Sequence, residues 1–344
     1  MAEETTPKQK ITIVGLGLIG GSIGLGLKAA GLKKIRIVGH DRDGGVMAKA
    51  RKRGAVDETE HNLINAVRGS SCVIVSVPVM SIRRVFQDIA SHMGENSIVH
   101  DTGSSKLEVL KWAADELPRT VHFVGGHPMA GKEEGGIDAA EATLFKDATY
   151  CVSPLPSASQ ASVEAILGLI SVLGAKPLFV DPEEHDRYAA AISHMPMVLS
   201  NALFSVARGS KAWFELSRMA GPGFKDLTRL ASQDPEMQLD VLRTNQEGVV
   251  HWLDRMQDEI THWKELVQGD EETLFQALYR SNLDREEYIK EGPKQAEFSS
   301  RPEVASGSDQ LADMLFGARM MRRIREVTSF YEEKAKEAPP RRKN

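Results

Sequence analysis

The stretch ITIVGLGLIGGSIGLGL, residues 11–27, carries the pattern that decides the fold. It opens with a β-branched run typical of a buried strand. Gly15, Gly17 and Gly20 then follow in G-x-G-x-x-G spacing, where a helix should begin. There the first glycine makes a tight turn, the second lets the backbone approach a pyrophosphate, and the third lets helix and strand pack closely. The stretch therefore predicts a strand–turn–helix unit that binds a dinucleotide; the alternative is a glycine turn that holds no phosphate.

Short apolar runs continue outward from this unit to about Asp181 and alternate with helical patterns. The predicted strands are residues 11–16, 35–40, 72–78, 97–102, 122–126, 149–154 and 177–182. Most of these runs are almost continuously apolar, as expected for strands that are covered on both faces. Between them, segments such as 157–175 place apolar residues at three- and four-residue spacing, which indicates helices. The alternation predicts an α/β fold over residues 10–182, with a mainly parallel, doubly wound, Rossmann-like sheet.

The pattern changes after residue 182. Residues 183–283 have little strand signal and long helical stretches, which predicts an all-helical C-terminal domain for substrate binding and dimerisation. Its apolar stripes, around 192–206 and 249–263, are long enough to need a partner surface. Residues 284–310 are polar and include two prolines, which predicts a poorly packed connector. The last segment, 311–344, predicts one amphipathic helix over 311–337 and a frayed tail.

Further cofactor contacts are predicted where the first strands end. Asp41 ends the second strand, about 20 residues beyond the third glycine, where a carboxylate can accept hydrogen bonds from ribose hydroxyls. A carboxylate there also repels a 2′-phosphate, which favours NAD. The neighbouring Arg42 can pair with that phosphate and leaves NADP open. The predicted cofactor site is completed by Leu18 and Ile19 of the glycine turn and by Ser76, Val77 and Pro78.

Two polar side chains are predicted to meet at the edge where the parallel strands end, because ligands bind at that edge. Ser104 follows strand 97–102, and His127 lies in the glycine-rich stretch GGHPMAGKEEGG, residues 125–136. A neutral imidazole beside a nicotinamide can accept the proton of a substrate hydroxyl while the carbon loses hydride. The glycines leave room for substrate and dinucleotide over the ring. The competing interpretation is a histidine that only caps a turn.

Composition limits the other classes of function. The chain has 344 residues, 41% of them hydrophobic and 26% charged, and its formal net charge of -5 gives no basic surface for nucleic acid. Cys72 and Cys151 are the only cysteines, which argues against a disulfide framework or zinc site and for a reducing compartment. The apolar stretch 11–27 is shorter than the ~20 residues of a membrane span, and the first ten residues do not resemble a signal peptide. We therefore expect a cytoplasmic protein with no membrane or nucleic-acid partner.

Five stretches in collinear order resemble a known family. They are GLGLIGGS (15–22), HDTGSSK (100–106), GGHPMAGKEEGG (125–136), EEHDRYAAAISHMP (183–196) and GPGFKDLTRLASQDPEM (221–237). Together they are similar to the prephenate/arogenate dehydrogenase family of tyrosine biosynthesis, from about Lys10 to Leu266. That family oxidises and decarboxylates a cyclohexadienol, prephenate or its amino counterpart arogenate, to a phenol. The resemblance implies an NAD(P)-dependent oxidoreductase and, from the family's habit, a homodimer.

The resemblance also implies roles for individual residues. His127 corresponds to the catalytic histidine that hydrogen-bonds the C4 hydroxyl, and Ser104 to the serine that helps orient that histidine and the ligand. Arg229 corresponds to the arginine that receives the ring carboxylate. His185 corresponds to a polar residue at the start of the helical domain. For both His185 and His194 the alternative is a histidine that caps a helix or is satisfied in the core. The other residues expected in the substrate pocket are Glu133, His194, Lys225 and Gln238.

Prephenate, giving 4-hydroxyphenylpyruvate, is the expected substrate, and arogenate, giving tyrosine directly, is the alternative. Met197 and Gln238 differ from some family patterns near the substrate side chain, which leaves the choice between pyruvyl and alanyl groups open. The reaction needs neither a metal ion nor a covalent nucleophile. Two rival functions are another hydroxyacid or imine oxidoreductase of the same architecture and a non-catalytic dinucleotide sensor. The sensor has no need of His127, Ser104 and Arg229.

Overall fold

Short strands and helices alternate in the first part of the computed structural model, which describes residues 9–32 and 34–291. The strands are β1 Gln9–Val14, β2 Ile35–His40, β3 Glu58–Thr59, β4 Cys72–Val75, β5 Ile98–Asp101, β6 His122–Pro128, β7 Thr149–Pro154 and β8 Lys176–Phe179. The helices among them are α1 Leu18–Ala29, α2 Gly44–Lys52, α3 Leu63–Val67, α4 Val79–Ile89, α5 Leu107–Glu116 and α6 Gln160–Val172.

The strands form one 8-stranded sheet in the order β3-β2-β1-β4-β5-β6-β7-β8. Neighbouring strands are parallel from β3 to β6, whereas β7 pairs antiparallel with β6, and β8 is parallel to β7. The chain order reverses between β1 and β4, and a doubly wound sheet binds its ligand at such a switch point. The predicted mainly parallel, doubly wound sheet is confirmed.

Three details of the sheet differ from the sequence pattern. The predicted strand 177–182 is too long, because β8 ends at Phe179, Asp181 caps the next helix and Pro182 begins that helix. The pattern does not predict β3, because two residues at a sheet edge are too few to show a period. The predicted strand 72–78 is also shorter in the structure, where β4 ends at Val75. Its last predicted residues, 76–78, instead form the turn before α4, at the edge where a ligand would bind.

Apolar side chains of the sheet supply two buried layers, one on each face. On one face Ile13 packs with Ile23 of α1 and with apolar residues of α2 and α6. On the other face Val73 packs with Phe86 of α4 and with apolar residues of α5. Successive residues of a strand point to opposite faces, so an almost continuously apolar strand supplies both layers. Full burial of a side chain such as Phe86 contributes roughly 1.5–3 kcal/mol, and these layers hold the sheet edge that carries the site.

From Pro182 onward the described chain is helical, as predicted. The helices are α7 Pro182–Ala189, α8 Met195–Arg208, α9 Trp213–Met219, α10 Pro222–Thr228, α11 Pro235–Thr244, α12 Gln246–Gln268 and α13 Glu271–Glu291. A π-helical turn, Ala190–His194, joins α7 to α8, and a 3₁₀ turn, Arg229–Ser232, follows α10. Asp181 starts this region as the N-cap of α7, and its side chain accepts a hydrogen bond from Glu183 N.

The last described helix, α13, extends farther than the sequence pattern predicts. It ends at Glu291, so residues 284–291 are helical although a polar connector is expected from residue 284. Polar side chains suit a helix that faces solvent, because residues four apart can pair, as Lys290 Nζ and Glu286 Oε2 do at 2.8 Å. The rest of the predicted connector, the predicted helix 311–337 and the tail lie outside the described residues.

Hydrogen bonds fasten the helical region over the carboxyl edge of the sheet. Asp186 of α7 accepts hydrogen bonds from Lys106 N at 2.7 Å and from Leu107 N at 3.0 Å, at the start of α5. Asp240 Oδ2 of α11 accepts a hydrogen bond from Met80 N at 3.1 Å, at the start of α4. Carboxylates are favourable at helix N-termini, where unpaired N–H groups carry partial positive charge. The helical region therefore covers the edge where the glycine turn and the strand ends lie.

By length and composition alone, one helix of the described residues, Pro182–Arg208, could cross a membrane. Within it His185, Asp186 and His194 are buried in the protein. Ionisable side chains in a lipid-exposed span are costly. This helix instead contributes three polar side chains to the interior between the sheet and the helical region.

Candidate active site

Glycines shape the turn between β1 and α1. Gly15 has φ of +91°, and a Cβ atom there would lie 2.3 Å from Ser76 O. At Gly20 a Cβ atom would lie 2.0 Å from Gly15 O, whereas at Gly17 nothing lies within 4 Å of that position. Gly17 also precedes α1 without any side-chain cap, which leaves the first N–H groups of that helix to a ligand. A pyrophosphate fits this open cradle at a helix N-terminus.

Asp41 lies directly after β2 and is half-buried beside the glycine turn. Its Oδ2 accepts a hydrogen bond from Leu16 N at 2.8 Å, and its Oδ1 accepts one from Asp43 N at 3.0 Å. A carboxylate has about four lone-pair sites, so these bonds orient Asp41 and leave capacity for two ribose hydroxyls. Arg42 beside it is exposed. The other predicted cofactor residues lie along the same edge, in the turn Ser76, Val77 and Pro78 after β4 and in Leu18 and Ile19 at the start of α1.

His127 lies near the carboxyl end of β6 and is buried. Burial lowers its pKa well below the ordinary 6.5, and the neighbouring His185, Lys106 and His194 lower that pKa further. The imidazole is therefore neutral at physiological pH. His127 Nδ1 lies 2.9 Å from His185 Nε2, within hydrogen-bond distance. The other ring nitrogen, Nε2, is left for a ligand.

His185 and Asp186 extend this contact into the helical region. His185 Nδ1 lies 2.7 Å from Asp186 Oδ1, and both side chains are buried. The group that contacts His127 in the structure is thus His185, whereas the family resemblance implies Ser104 in that role. Ser104 is half-buried in the loop before α5 and has no hydrogen bond with any described residue. Its hydroxyl is available to a ligand, and its catalytic role stays a prediction.

Asp101 and Lys106 form an ion pair that is completely buried between β5 and α5. Asp101 Oδ1 also accepts a hydrogen bond from Gly126 N at 3.1 Å, and its Oδ2 accepts one from Gly103 N at 2.8 Å. These two N–H groups come directly before the two predicted catalytic residues in the chain. Removing one partner of a buried pair costs about 3–5 kcal/mol, so the pair holds both backbone segments firmly.

A further buried imidazole, His194, ends the π-helical turn between α7 and α8. Such turns are rare and occur frequently at functional sites. Asn245 Nδ2 lies 3.1 Å from His194 Nδ1 and donates a hydrogen bond to Asp186 O at 2.6 Å. Burial lowers the pKa of His194 to about 4, an effect that Asp186 partly offsets and His185 increases. Its Nε2 is buried and has no hydrogen-bond partner among the described residues.

Arg229 and Glu133, both predicted in the substrate pocket, form an ion pair with 3.4 Å between Arg229 Nη1 and Glu133 Oε1. Their side chains are 50% and 59% exposed, so the guanidinium is accessible to a ligand from solvent. Lys225 is exposed on α10, and Met197 is buried in α8. Gln238 Nε2 donates hydrogen bonds to two backbone carbonyls, at 3.2 and 3.1 Å, which ties its side chain to the protein.

Four buried residues of this site are missing from the predicted set, namely Asp101, Lys106, Asp186 and Asn245. Asp101 and Lys106 stand among mostly small residues in the stretch HDTGSSK, where a charged residue is a usable signal. Asp186 gives a weaker signal, because its neighbours in EEHDRYAAAISHMP are also charged. Asn245 gives no such signal, because it lies in a polar junction between α11 and α12. Only the packing of α12 against α7 reveals its contact with His194.

Two family models match the chain. The first, described as the nucleotide-binding domain of prephenate dehydrogenase, matches residues 23–178. The second, described as the dimerization domain of prephenate dehydrogenase, matches residues 181–280. Their junction falls between β8 and α7, where the sheet ends and the helical region begins.

Individual proteins give the same result. Over 271 residues the chain is 35% identical to prephenate dehydrogenase of Bacillus subtilis (strain 168), covering 78% of this chain and 73% of that protein. The structure of the present chain is similar to that of prephenate dehydrogenase from A. aeolicus in complex with hydroxyphenyl propionate and NAD+. The TM-score is 0.76 at 27% identity, and the match covers 83% of this chain and 99% of that one. Synechocystis arogenate dehydrogenase gives a TM-score of 0.69 at 28% identity, covering 81% of this chain and 100% of that one.

Proposed function

The chain belongs to the prephenate dehydrogenase family, and we propose that it oxidises and decarboxylates prephenate to 4-hydroxyphenylpyruvate in tyrosine biosynthesis, with NAD as hydride acceptor. The observation that carries this proposal is the buried, neutral His127 at the sheet edge that also carries the glycine turn. A general base must be unprotonated and within reach of the group it serves. A dinucleotide sensor has no use for such a base.

The cofactor is held by residues of the glycine turn and its neighbours. Gly17 leaves space for the pyrophosphate, and Asp41 has free lone pairs for the ribose hydroxyls. The negative charge of Asp41 disfavours the additional 2′-phosphate of NADP. The exposed Arg42 could pair with that phosphate and so favour binding of NADP. When bound, NAD accepts the hydride that leaves C4 of the substrate.

His127 serves the C4 hydroxyl through Nε2, the ring nitrogen that does not contact His185. As the C4–H bond breaks, positive charge develops at C4 and its oxygen, and a hydrogen bond from the hydroxyl to a neutral imidazole stabilises that charge. The bond between the ring and its carboxylate then breaks, its electron pair enters the ring, and carbon dioxide leaves. The hydroxyl proton ends on the phenol oxygen, so the step releases no net proton.

Arg229 binds the ring carboxylate before it leaves. An arginine can hold a carboxylate through two parallel N–H···O bonds, which fixes its position as well as its charge. Glu133 is the present partner of Arg229, at 3.4 Å, and an arriving carboxylate competes with it for the guanidinium. A clamp that was too strong would oppose departure of the carboxylate as neutral gas, so positioning is the larger part of the contribution of Arg229.

Arogenate is the second candidate substrate, and the similarity to Synechocystis arogenate dehydrogenase favours keeping it. Prephenate and arogenate differ only in the side chain, which is pyruvyl in one and alanyl in the other. We expect Met197 and Gln238 to lie near that side chain. Met197 carries no charge, and its thioether sulfur is only a weak acceptor for an ammonium group, which favours prephenate.

We also infer that the enzyme is a cytoplasmic homodimer. Buried, unpaired Cys72 and Cys151 suit a reducing compartment. The family model for residues 181–280 is described as a dimerization domain. Large apolar side chains exposed in this region include Phe204, Val206, Phe275 and Tyr279, and exposed apolar surface of this extent marks interfaces.

The test is a direct assay of NAD reduction at 340 nm with separate additions of prephenate, arogenate and a panel of 3-hydroxyacids. The proposal predicts turnover with prephenate, formation of 4-hydroxyphenylpyruvate, and slower turnover with arogenate. Faster turnover with a 3-hydroxyacid would move the chain to another oxidoreductase activity. NAD binding without turnover of any substrate would contradict the proposed activity and favour the alternative, a non-catalytic dinucleotide sensor.

A further inference from the structure

Asp186 is linked to His127 and His194 through one intermediate residue each. Its carboxylate contacts His185, which contacts His127, and its backbone carbonyl accepts a hydrogen bond from Asn245, which contacts His194. We propose that Asp186 and Asn245 are positioning residues that fix the two tautomers, so that His127 Nε2 is a hydrogen-bond acceptor and His194 Nε2–H is a donor. This inference rests on the proposed function, because it assigns how the two imidazoles meet the reacting ligands. Each assignment follows from its own set of hydrogen bonds, with His185 and His194 as neutral imidazoles.

The assignment of His127 begins at Asp186. Its Oδ1 accepts a hydrogen bond from Lys106 N and lies 2.7 Å from His185 Nδ1. A carboxylate only accepts hydrogen bonds, so His185 Nδ1 must carry its proton, and Nε2 of a neutral His185 is then a bare acceptor. His127 Nδ1, 2.9 Å away, must donate to it. The bare nitrogen of His127 is therefore Nε2.

The opposite assignment, with the proton of His127 on Nε2, is inconsistent with the same contacts when His185 is neutral. If His127 Nε2 carried the proton, Nδ1 would be bare and His185 Nε2 would have to donate to it. A neutral His185 would then turn a bare Nδ1 toward the oxygen of Asp186, so two lone pairs would face each other at 2.7 Å. A protonated His185 would satisfy the geometry as an imidazolium paired with Asp186, and it is distinguished in the ¹⁵N spectrum by protons on both of its ring nitrogens.

The assignment of His194 begins at Asn245. The amide atom of Asn245 that lies 2.6 Å from Asp186 O must be nitrogen, because a carbonyl oxygen only accepts. The same NH₂ group lies 3.1 Å from His194 Nδ1, which therefore accepts its second hydrogen. A neutral His194 then carries its proton on Nε2. That N–H is buried and has no partner in the described part of the chain.

An unpaired buried donor indicates a ligand atom that accepts. His194 is 2% exposed, and buried donors without a partner are uncommon in folded proteins. The acceptor is an oxygen of the bound ligands, either of the substrate or of the nicotinamide carboxamide. The site thus holds one neutral imidazole that accepts and one that donates. A substrate hydroxyl is directed to the first, and a carbonyl or carboxylate oxygen to the second.

The tautomers can be read without any variant. Selective ¹⁵N labelling of histidine and the imidazole ¹⁵N chemical shifts distinguish a protonated ring nitrogen from a bare one. In the wild-type enzyme at pH 7.5 we expect His127 with a bare Nε2 and His194 with a bare Nδ1, assigned with His127→Gln and His194→Gln samples. A bare Nδ1 on His127, or a bare Nε2 on His194, would overturn the corresponding assignment.

Two variants then test the two assignments separately, one for the tautomer of His127 and one for the tautomer of His194. Asp186→Asn replaces an acceptor by an amide whose NH₂ can face His185, and a wrong tautomer of a general base lowers kcat by up to about 10⁴-fold. We expect a kcat loss of roughly 10²-fold or more, NAD affinity within about twofold of wild type, and loss of the bare Nε2 signal of His127. Asp270→Asn is the matched control, because Asp270 caps α13 through Thr273 N at 2.8 Å and lies outside the site.

Asn245→Leu is expected to act on His194 and not on His127, because Asn245 contacts Asp186 only through the backbone carbonyl and the variant leaves the Asp186 carboxylate in place. It should raise one KM by roughly ten-fold, leave the His127 signals unchanged, and change the His194 signals. A rise in KM for prephenate assigns the acceptor to the substrate, and a rise in KM for NAD assigns it to the carboxamide. Asp186→Asn with wild-type kcat, or Asn245→Leu with both KM values unchanged, contradicts the inference. Absence of prephenate turnover in the wild type would instead contradict the proposed function and leave the tautomer signals as a separate result.

Discussion

At the residue scale, burial makes His127 a weaker base than a free histidine. Its pKa lies well below 6.5, because burial disfavours the charged imidazolium. The neighbouring His185, Lys106 and His194 also repel the added positive charge. The base works only when unprotonated, so activity is present above this pKa and is lost as pH falls through it. We predict that kcat/KM for prephenate stays level from pH 8 down through 6.5 and declines only below that value. A midpoint at or above 6.5 in the pH profile would contradict this environment of His127.

Variants of Arg229 distinguish an effect on substrate binding, seen in KM, from an effect on the chemical step, seen in kcat. A charged hydrogen bond contributes about 1.5–3 kcal/mol, so Arg229→Ala should raise KM for prephenate by roughly ten- to a hundredfold, at ~1.4 kcal/mol per decade. The loss in kcat should be smaller, and Arg229→Lys should restore binding only partly, because lysine lacks the planar fork. Steady-state kinetics of both variants check this, with Arg218→Ala on exposed α9 as the control.

An unchanged KM in Arg229→Ala, for both prephenate and arogenate, would place the ring carboxylate elsewhere. Arg229 would then be an ordinary surface partner of Glu133. Exposed ion pairs contribute only about 0–1 kcal/mol, so in that case stability would change little as well.

Sequence identifies residues of this site when they stand in a local pattern. Gly15, Gly17 and Asp41 occupy fixed positions relative to one strand–turn–helix unit, and His127 follows a strand in a run of glycines. The contacts of Asp186 with α5 and of Asn245 with His194 join parts of the chain that are distant in sequence. No local period or spacing encodes such contacts, and they become visible only once the helical region is packed on the sheet.

At the element scale, the turn after β2 sets the cofactor preference. Asp41 is oriented by Leu16 N and Asp43 N, and its negative charge opposes a 2′-phosphate. We predict a higher kcat/KM with NAD than with NADP, and Asp41→Ser should narrow or reverse this ratio with help from Arg42. Kinetics with both cofactors measure this ratio, with Asp43→Ser as a control that removes a neighbouring carboxylate and keeps the Asp41 side chain. A native preference for NADP would contradict the role given to Asp41.

Whole elements are predictable where composition and period agree. The strands β1, β2 and β7 are dense β-branched or aromatic runs and lie close to their predicted ranges. The edge strand β3 has too few residues for a pattern, and the polar end of α13 resembles a loop by composition. The antiparallel β7 follows from pairing with β6, which the local sequence of a single strand does not specify.

At the scale of the whole molecule, exposed apolar side chains of the helical region predict a dimer. Phe275 and Tyr279 stack on α13 with ring centroids 6.1 Å apart and are 57% and 51% exposed. We predict that light scattering at micromolar concentration gives the mass of a homodimer and that Phe275→Glu shifts the equilibrium toward monomer. Gln276→Lys, which changes charge at the next position of the same helix, is the matched control. A monomeric wild-type protein would contradict this assembly.

The role of His127 as the base for oxidation of prephenate is tested by comparing the wild type with His127→Asn. Turnover of wild type and His127→Asn is measured with saturating NAD and prephenate at pH 7.5, and NAD affinity is measured on the same samples. Asparagine retains hydrogen bonding but cannot take up a proton, so kcat should fall by roughly 10²-fold or more, with NAD affinity near that of the wild type. Wild-type turnover by the Asn variant would contradict this role and leave His127 as a structural residue at the sheet edge.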